Sequence, residues 1–283
     1  VFDCSSGNFL SRLLNSGWQS NMRMRNTLSK IIAFCFLTCI GFEAQAQEGM
    51  VYMDMGRGEA RLPIYVMQNP SATATVILLP GGDAGTGKIV DGKPSSENFL
   101  SRSRGHFLSE NLNVIVVYRA SDLTGLDYSY RVSKDHIGEI SKVIAYAKQT
   151  FNKPVWLIGT SRGTVSGTAT AIALGDSEVQ GLVLTSSVTS KKTGAITSQN
   201  IGTLTIPILV IHHKNDACKI CVPHEASRIT SELRSAPVKK FVMIEGGSNP
   251  QGDPCEAKHW HGFINYEKET VKLITDWIKN PQS

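Results

Sequence analysis

Apolar positions along the chain gather into runs of strand length at 51–55, 62–67, 75–79, 114–118, 155–158, 182–187, 206–211 and 241–244. From the third run onward they mostly alternate with helical patterns at 97–111, 133–149, 162–174, 224–234 and 266–279. Alternation of this kind builds right-handed strand–helix–strand units. It predicts an α/β fold with a mostly parallel, doubly wound sheet of about eight strands and helices on both faces. Sites in such sheets open at the carboxyl ends of the strands, so chemistry is expected in the loops that follow them. No repeat or low-complexity linker interrupts the pattern, and one domain over residues 47–283 is the simplest organisation.

The first part of the chain stands outside this pattern. Arg23, Arg25 and Lys30 precede an apolar run at 31–41, and Ala44-Gln45-Ala46 follows it as a small-residue cleavage site. Residues 22–46 are therefore expected to be a signal peptide, and residues 1–21, upstream of Met22 and Met24, a mis-annotated extension. The apolar run is shorter than the roughly 20 residues a membrane-spanning helix needs, so no stable membrane insertion is expected after cleavage. The expected destination is periplasmic or secreted.

Of the 283 residues, 41% are hydrophobic and 19% charged, which suits a globular enzyme with a full core. The net charge of +5 is modest, and no Lys/Arg block is interleaved with aromatics, which argues against nucleic-acid binding.

The strand at 155–158 runs straight into Gly159-Thr160-Ser161-Arg162-Gly163, a G-x-S-x-G turn. Such a turn forces the serine into a strained conformation between strand and helix, with its hydroxyl exposed above the sheet. A serine hydroxyl is a weak nucleophile at neutral pH, so Ser161 needs a histidine base, a carboxylate to orient that base, and donors for the oxyanion. The strand at 206–211 leads into a loop with Asp216, and the last strand is followed by a loop ending in His259-Trp260-His261-Gly262-Phe263. The chain order is thus Ser161, Asp216, His261.

On these residues the chain resembles the α/β-hydrolases, and is similar to their dienelactone hydrolase and carboxylesterase-like branch over roughly residues 50–280. The resemblance implies a serine hydrolase that needs no cofactor and acts on a small-molecule or polymeric ester. It favours His261 over His259 as the base, because an H-G-F-like segment before the final helix carries that histidine in the family. Asp216 is the expected acid, with Glu245 as the alternative. The oxyanion hole would combine the Arg162 amide with one from Leu79-Pro80-Gly81-Gly82-Asp83, where Gly82 is the first choice and Asp83 the second. Proline stands at position 80 where the family pattern has histidine. The short segment between Ser187 and Ile206 leaves no room for a large cap domain, so the pocket is expected to be open.

Two features allow other readings. Residues 82–88 fit G-x-x-x-x-G-K, most of a phosphate-binding loop, but Ile89 stands where a hydroxyl should hold magnesium and a turn-rich segment follows. Cys218-Lys219-Ile220-Cys221 and Cys255 could form a metal or redox site. Cys218 follows Asp216 and Cys255 precedes His261, so a Cys218–Cys255 disulfide bracing the two loops is preferred over Cys221–Cys255 or a metal. The same triad would serve an acyltransferase, and a non-catalytic binding protein on the same fold is the remaining class.

Overall fold

The computed structural model describes residues 48–190 and 192–283. The extension expected at 1–21 and the signal peptide expected at 22–46 lie outside the described residues. The chain opens with β1 (Glu48–Asp54), β2 (Arg61–Met67) and β3 (Ala74–Leu79), then a hairpin of β4 (Ile89–Val90) and β5 (Lys93–Pro94). Helices α1 (Phe99–Arg102) and α2 (Arg104–Ser109) lead to β6 (Leu112–Val117), and α3 (Tyr128–Arg131) and α4 (Lys134–Phe151) to β7 (Val155–Thr160). There follow α5 (Arg162–Leu174), β8 (Gly181–Thr185), β9 (Ile208–His213), α6 (Pro223–Glu232), β10 (Lys239–Ile244) and α7 (Glu267–Lys279).

The main sheet has eight strands in the order β1-β2-β6-β3-β7-β8-β9-β10. All neighbours from β6 to β10 are parallel, and β2 runs antiparallel to both β1 and β6. The chain leaves β3 towards β6 on one side, then crosses back to β7 on the other. That reversal creates a crevice at the carboxyl ends of β3 and β7.

Successive strand residues face opposite sides, and both sides are covered. Val76, Leu78, Trp156 and Ile158 pack beneath α1 and α7, against Phe99, Leu100, Ile274 and Trp277. Ile77, Leu79, Leu157 and Leu184 face Ile140, Val143 and Ile144 of α4 and Ala226 and Ile229 of α6. Each such side chain, removed from water, contributes roughly 1.5–3 kcal/mol. Helix α4 starts where Ser133 accepts the His136 N–H (3.2 Å) and stops at Asn152, which takes a left-handed φ of 49°.

Several boundaries differ from the sequence reading, each for a local reason. The single helix expected at 97–111 is two short ones, because Ser101, Ser103 and Gly105 are weak helix formers. The strand expected at 182–187 ends at Thr185, since Ser186 turns to φ 44°. The strand expected at 206–211 is shifted to Ile208–His213, after Pro207, so His212 and His213 lie inside the sheet and are fully buried. Helix α3 carries no hydrophobic period long enough to read; the Asp127 side chain caps it by accepting the Tyr130 N–H at 2.8 Å.

Candidate active site

Ser161 sits between the last residue of β7 and the first of α5, with φ 51° and ψ −127°. That conformation costs on the order of 1–3 kcal/mol for a residue with a Cβ, so neighbours must hold it. The Ser161 N–H donates to the Thr185 carbonyl (3.0 Å), and the Ser161 carbonyl accepts from the Thr164 N–H (2.9 Å) and hydroxyl (2.6 Å). The glycines around it are required by contact. A Cβ on Gly163 would fall on the Leu79 carbonyl, and one on Gly159 would stand 2.6 Å from the Gly163 oxygen. A Cβ on Gly81 would approach that of Ser161 to 2.7 Å. The strand, the helix and the β3 loop therefore converge on this one serine.

Asp216 and His261 are both buried, and Asp216 Oδ2 lies 2.8 Å from His261 Nδ1. The other carboxylate oxygen accepts the Cys218 N–H at 2.9 Å. With Nδ1 donating to the carboxylate, Nε2 carries the free lone pair; it has no hydrogen-bond partner among the described residues. The histidine loop is held from several sides. Ser186 Oγ donates to the His261 carbonyl (2.8 Å), Arg102 donates to the Gly262 carbonyl (2.6 Å), and Trp260 stacks on His213 with centroids 4.7 Å apart. Cys218 and Cys255 are joined by a disulfide that ties the acid loop to the histidine loop.

Arg162 is the first residue of α5, so its N–H has no partner within the helix and stands at the positive end of the helix dipole. Gly82 has φ 55° in a turn closed by the Ala84 N–H on the Gly81 carbonyl (2.9 Å). Among the described residues neither the Gly82 nor the Arg162 amide donates to another backbone group outside regular elements. Both line, with Ser161, His261, Tyr128 and Glu256, a single cavity of about 450 Å³.

No family model matches the chain, and neither does any curated protein. Solved structures do. A dienelactone hydrolase from Anabaena variabilis aligns over 84% of this chain and 100% of its own, with a TM-score of 0.59 and 17% identity. An esterase from Pyrococcus furiosus aligns over 83% and 92%, with a TM-score of 0.58 and 14% identity. A lidless α/β serine hydrolase from Xanthomonas campestris aligns over 81% and 95%, with a TM-score of 0.55 and 14% identity. The chain has the α/β-hydrolase fold. In this hydrolase fold the crevice between β3 and β7 is the mouth of the cavity just described.

The alternatives weighed from sequence separate on contacts. Glu245 is exposed and pairs with Lys214 at 2.7 Å, whereas His261 Nδ1 donates its hydrogen bond to Asp216. His259 packs edge-on against Trp260, and its buried Nδ1 has no hydrogen-bond partner among the described residues. Residues 82–88 run into strand β4, where a phosphate-binding loop would open a helix. The sulfurs of Cys218 and Cys221 and a ring nitrogen of His261 lie within 4.8 Å of one another, but the Cys218 sulfur is consumed by the disulfide and the set does not suit a metal. Cys221 is the free cysteine among the described residues. Burial pushes its thiol well up, the Asp216 charge adds to this, and the Ser161 hydroxyl beside it pulls the other way.

Two guanidinium groups lie near the site, and the second of them gave no sequence signal. The Arg162 guanidinium lies 5.1 Å over the Tyr128 ring and 3.8 Å from Asp83, so its side chain is already engaged. Arg131 is fully buried behind the β3 loop; burial and then the nearby Arg162 charge push it down to about 9, which leaves it charged at neutral pH. Its partners are backbone carbonyls and a serine, which no motif or period marks.

Proposed function

We propose that the protein is an exported serine hydrolase that cleaves an ester or related acyl bond through an acyl-enzyme on Ser161. The observation that carries this reading is the buried Asp216–His261 pair, whose Nε2 has no hydrogen-bond partner among the described residues, with His261 lining the same cavity as the strained Ser161. His261 Nε2 takes the hydroxyl proton as Ser161 Oγ bonds to the carbonyl carbon, and the carbonyl π electrons move onto oxygen. Asp216 fixes the imidazole tautomer and stabilises its positive form. The Gly82 and Arg162 amides receive the oxyanion. Collapse of this intermediate breaks the acyl–oxygen bond, and the proton on Nε2 passes to the leaving alcohol. Water, deprotonated by the same nitrogen, then attacks the acyl-enzyme and releases the acid.

The open cavity, with Tyr128 and Glu256 on its wall, suits a small or polymeric ester. Export is supported by the disulfide, which persists in oxidising compartments. No helix among the described residues is long and apolar enough to cross a membrane. The test is intact-mass analysis after treatment with a fluorophosphonate probe, beside Ser161→Ala and His261→Ala. One adduct that maps to Ser161 and is lost in both variants is the expected result. Absence of any adduct on well-folded protein would refute the reading.

A further inference from the structure

The guanidinium of Arg131 touches both elements that carry the candidate oxyanion amides. Nη2 donates to the Gly82 carbonyl (2.8 Å) and reaches the Pro80 carbonyl at 3.5 Å, while Nη1 donates to Ser166 Oγ on α5 (2.8 Å). Nε lies 3.4 Å from the Leu126 carbonyl. We infer that Arg131 is a positioning residue for the oxyanion hole, a clamp that holds the β3 loop against α5 and so fixes the loop amides, Asp83 directly and Gly82 through the turn, relative to the Arg162 amide. The inference rests on Ser161 being the nucleophile.

Burying a cation is expensive, and an apolar side chain of similar volume would fill the same space without that cost. What the guanidinium adds is a rigid planar fork able to hold two separate elements at fixed angles. The peptide planes give those angles a consequence. A trans peptide points its C=O and N–H in opposite directions, so a Gly82 carbonyl held inward by Arg131 turns the Asp83 N–H outward. The Gly81 carbonyl is taken by the Ala84 N–H, which turns the Gly82 N–H away from the turn interior. Charge on Arg131 also polarises the Gly82–Asp83 peptide, strengthening its N–H as a donor. Both loop amides favoured by sequence are thus oriented by contacts on their far sides.

The other end of the clamp is anchored as firmly. His136 Nδ1 lies 2.9 Å from Glu139 Oε2, so Nδ1 donates and Nε2 accepts the Ser166 hydroxyl proton at 2.9 Å. The Ser166 oxygen is then free to accept from Arg131. Glu139 also takes donors from Arg57 (2.6 Å) and Tyr130 (2.8 Å); burial pushes its carboxyl up, but the His136 contact first, then these two donors, outweigh it and keep the carboxyl below the usual range. Every member of this buried network has a partner, and charges alternate along it, so the guanidinium has little freedom to move.

The test compares wild type with Arg131→Met, Arg131→Lys and Ser166→Ala, using p-nitrophenyl acetate turnover and inhibition by a boronic acid that forms a tetrahedral serine adduct. Thermal unfolding scores folding of each variant. Arg131→Met is expected to lower kcat by about 30- to 300-fold with KM within about twofold, and to weaken the boronic acid by a similar factor. Arg131→Lys should recover part of both, since an ammonium reaches one carbonyl but cannot bridge. Ser166→Ala cuts only the leg to α5 and should cost about 3- to 10-fold in both readouts. Folded Arg131→Met with kcat within threefold of wild type, or with lost kcat and undiminished boronic acid affinity, would overturn the clamp. If Arg131→Met does not fold, full kcat and full boronic acid affinity in Ser166→Ala overturn it instead. Wild type that takes no fluorophosphonate at Ser161 brings down the nucleophile reading and the clamp together; labelled wild type with unaffected variants brings down the clamp alone.

Discussion

Removal of the Cys218–Cys255 disulfide should weaken both the fold and turnover, by separable routes. The bond spans a sequence separation of 37 residues. Closing a loop of that length in the unfolded chain corresponds to about 4 kcal/mol in the chain-entropy treatment. That is a large part of the 5–15 kcal/mol that typically holds a domain together. The suitable variant is Cys218→Ala with Cys255→Ala. A single Cys255 change would leave the Cys218 sulfur within 4.8 Å of Cys221 and free to form a new bridge. Urea unfolding followed by circular dichroism should show a midpoint lower by roughly 1.5 M, for a slope of roughly 2–3 kcal/mol/M. The second route acts in the native state. Cys218 donates its N–H to Asp216, and Cys255 anchors the loop leading to His261, so loss of the brace should lower kcat even where all protein is folded. A midpoint within about 0.3 M of wild type would refute the loop-closure argument. A normal midpoint shift with unchanged kcat would refute the positioning argument while leaving the first intact.

Two further perturbations follow from the same geometry. Gly163→Ala should destabilise by about 3 kcal/mol or more and abolish labelling of Ser161, because the new Cβ meets the Leu79 carbonyl, whereas Gly105→Ala, with open space around it, should be neutral or stabilising; equal melting temperatures for the two would contradict this. His212 is pushed down to about 3, first by burial and then by His261, against an unfolded value near 6.5. The unfolded chain therefore binds the extra proton first, and stability present above pH 6.5 is lost as pH falls towards 3, by at most about 1.4 kcal/mol per unit. His136, lowered for the same first reason, adds in the same direction. His212→Gln, which keeps an acceptor for the Ser187 N–H, should flatten the slope between pH 6 and 4; parallel curves for the two proteins would exclude the assignment.

What the sequence revealed and concealed divides along a physical line. The parallel strands were legible because residues such as 76–79 and 155–158 are buried on both faces and are apolar throughout. The convergence of the loops that carry Ser161, Asp216 and His261 was legible because each follows its own strand, and a doubly wound sheet sends all such loops to one edge. Boundaries were less so, since they depend on single dihedrals such as that of Ser186 or on a missing N–H at Pro207. Arg131 left no trace because its partners are carbonyls far away in sequence. The same network shows why connectivity alone does not define a site. Ser166, His136 and Glu139 form a serine–histidine–carboxylate chain with contacts of 2.9 Å and 2.9 Å, as well made as the Asp216–His261 contact. Yet Ser166 lies within α5, is fully buried, and accepts a hydrogen bond from Arg131 on the oxygen that would have to attack. Ser161 differs in the features a reaction requires: a strained backbone that lifts the hydroxyl off the helix, a half-exposed position in the cavity wall, and unpaired amides alongside. On the proposed reading a nucleophile is set by access and by where the oxyanion can go, and Ser161, at the end of β7 and in the cavity wall, is placed to meet both conditions.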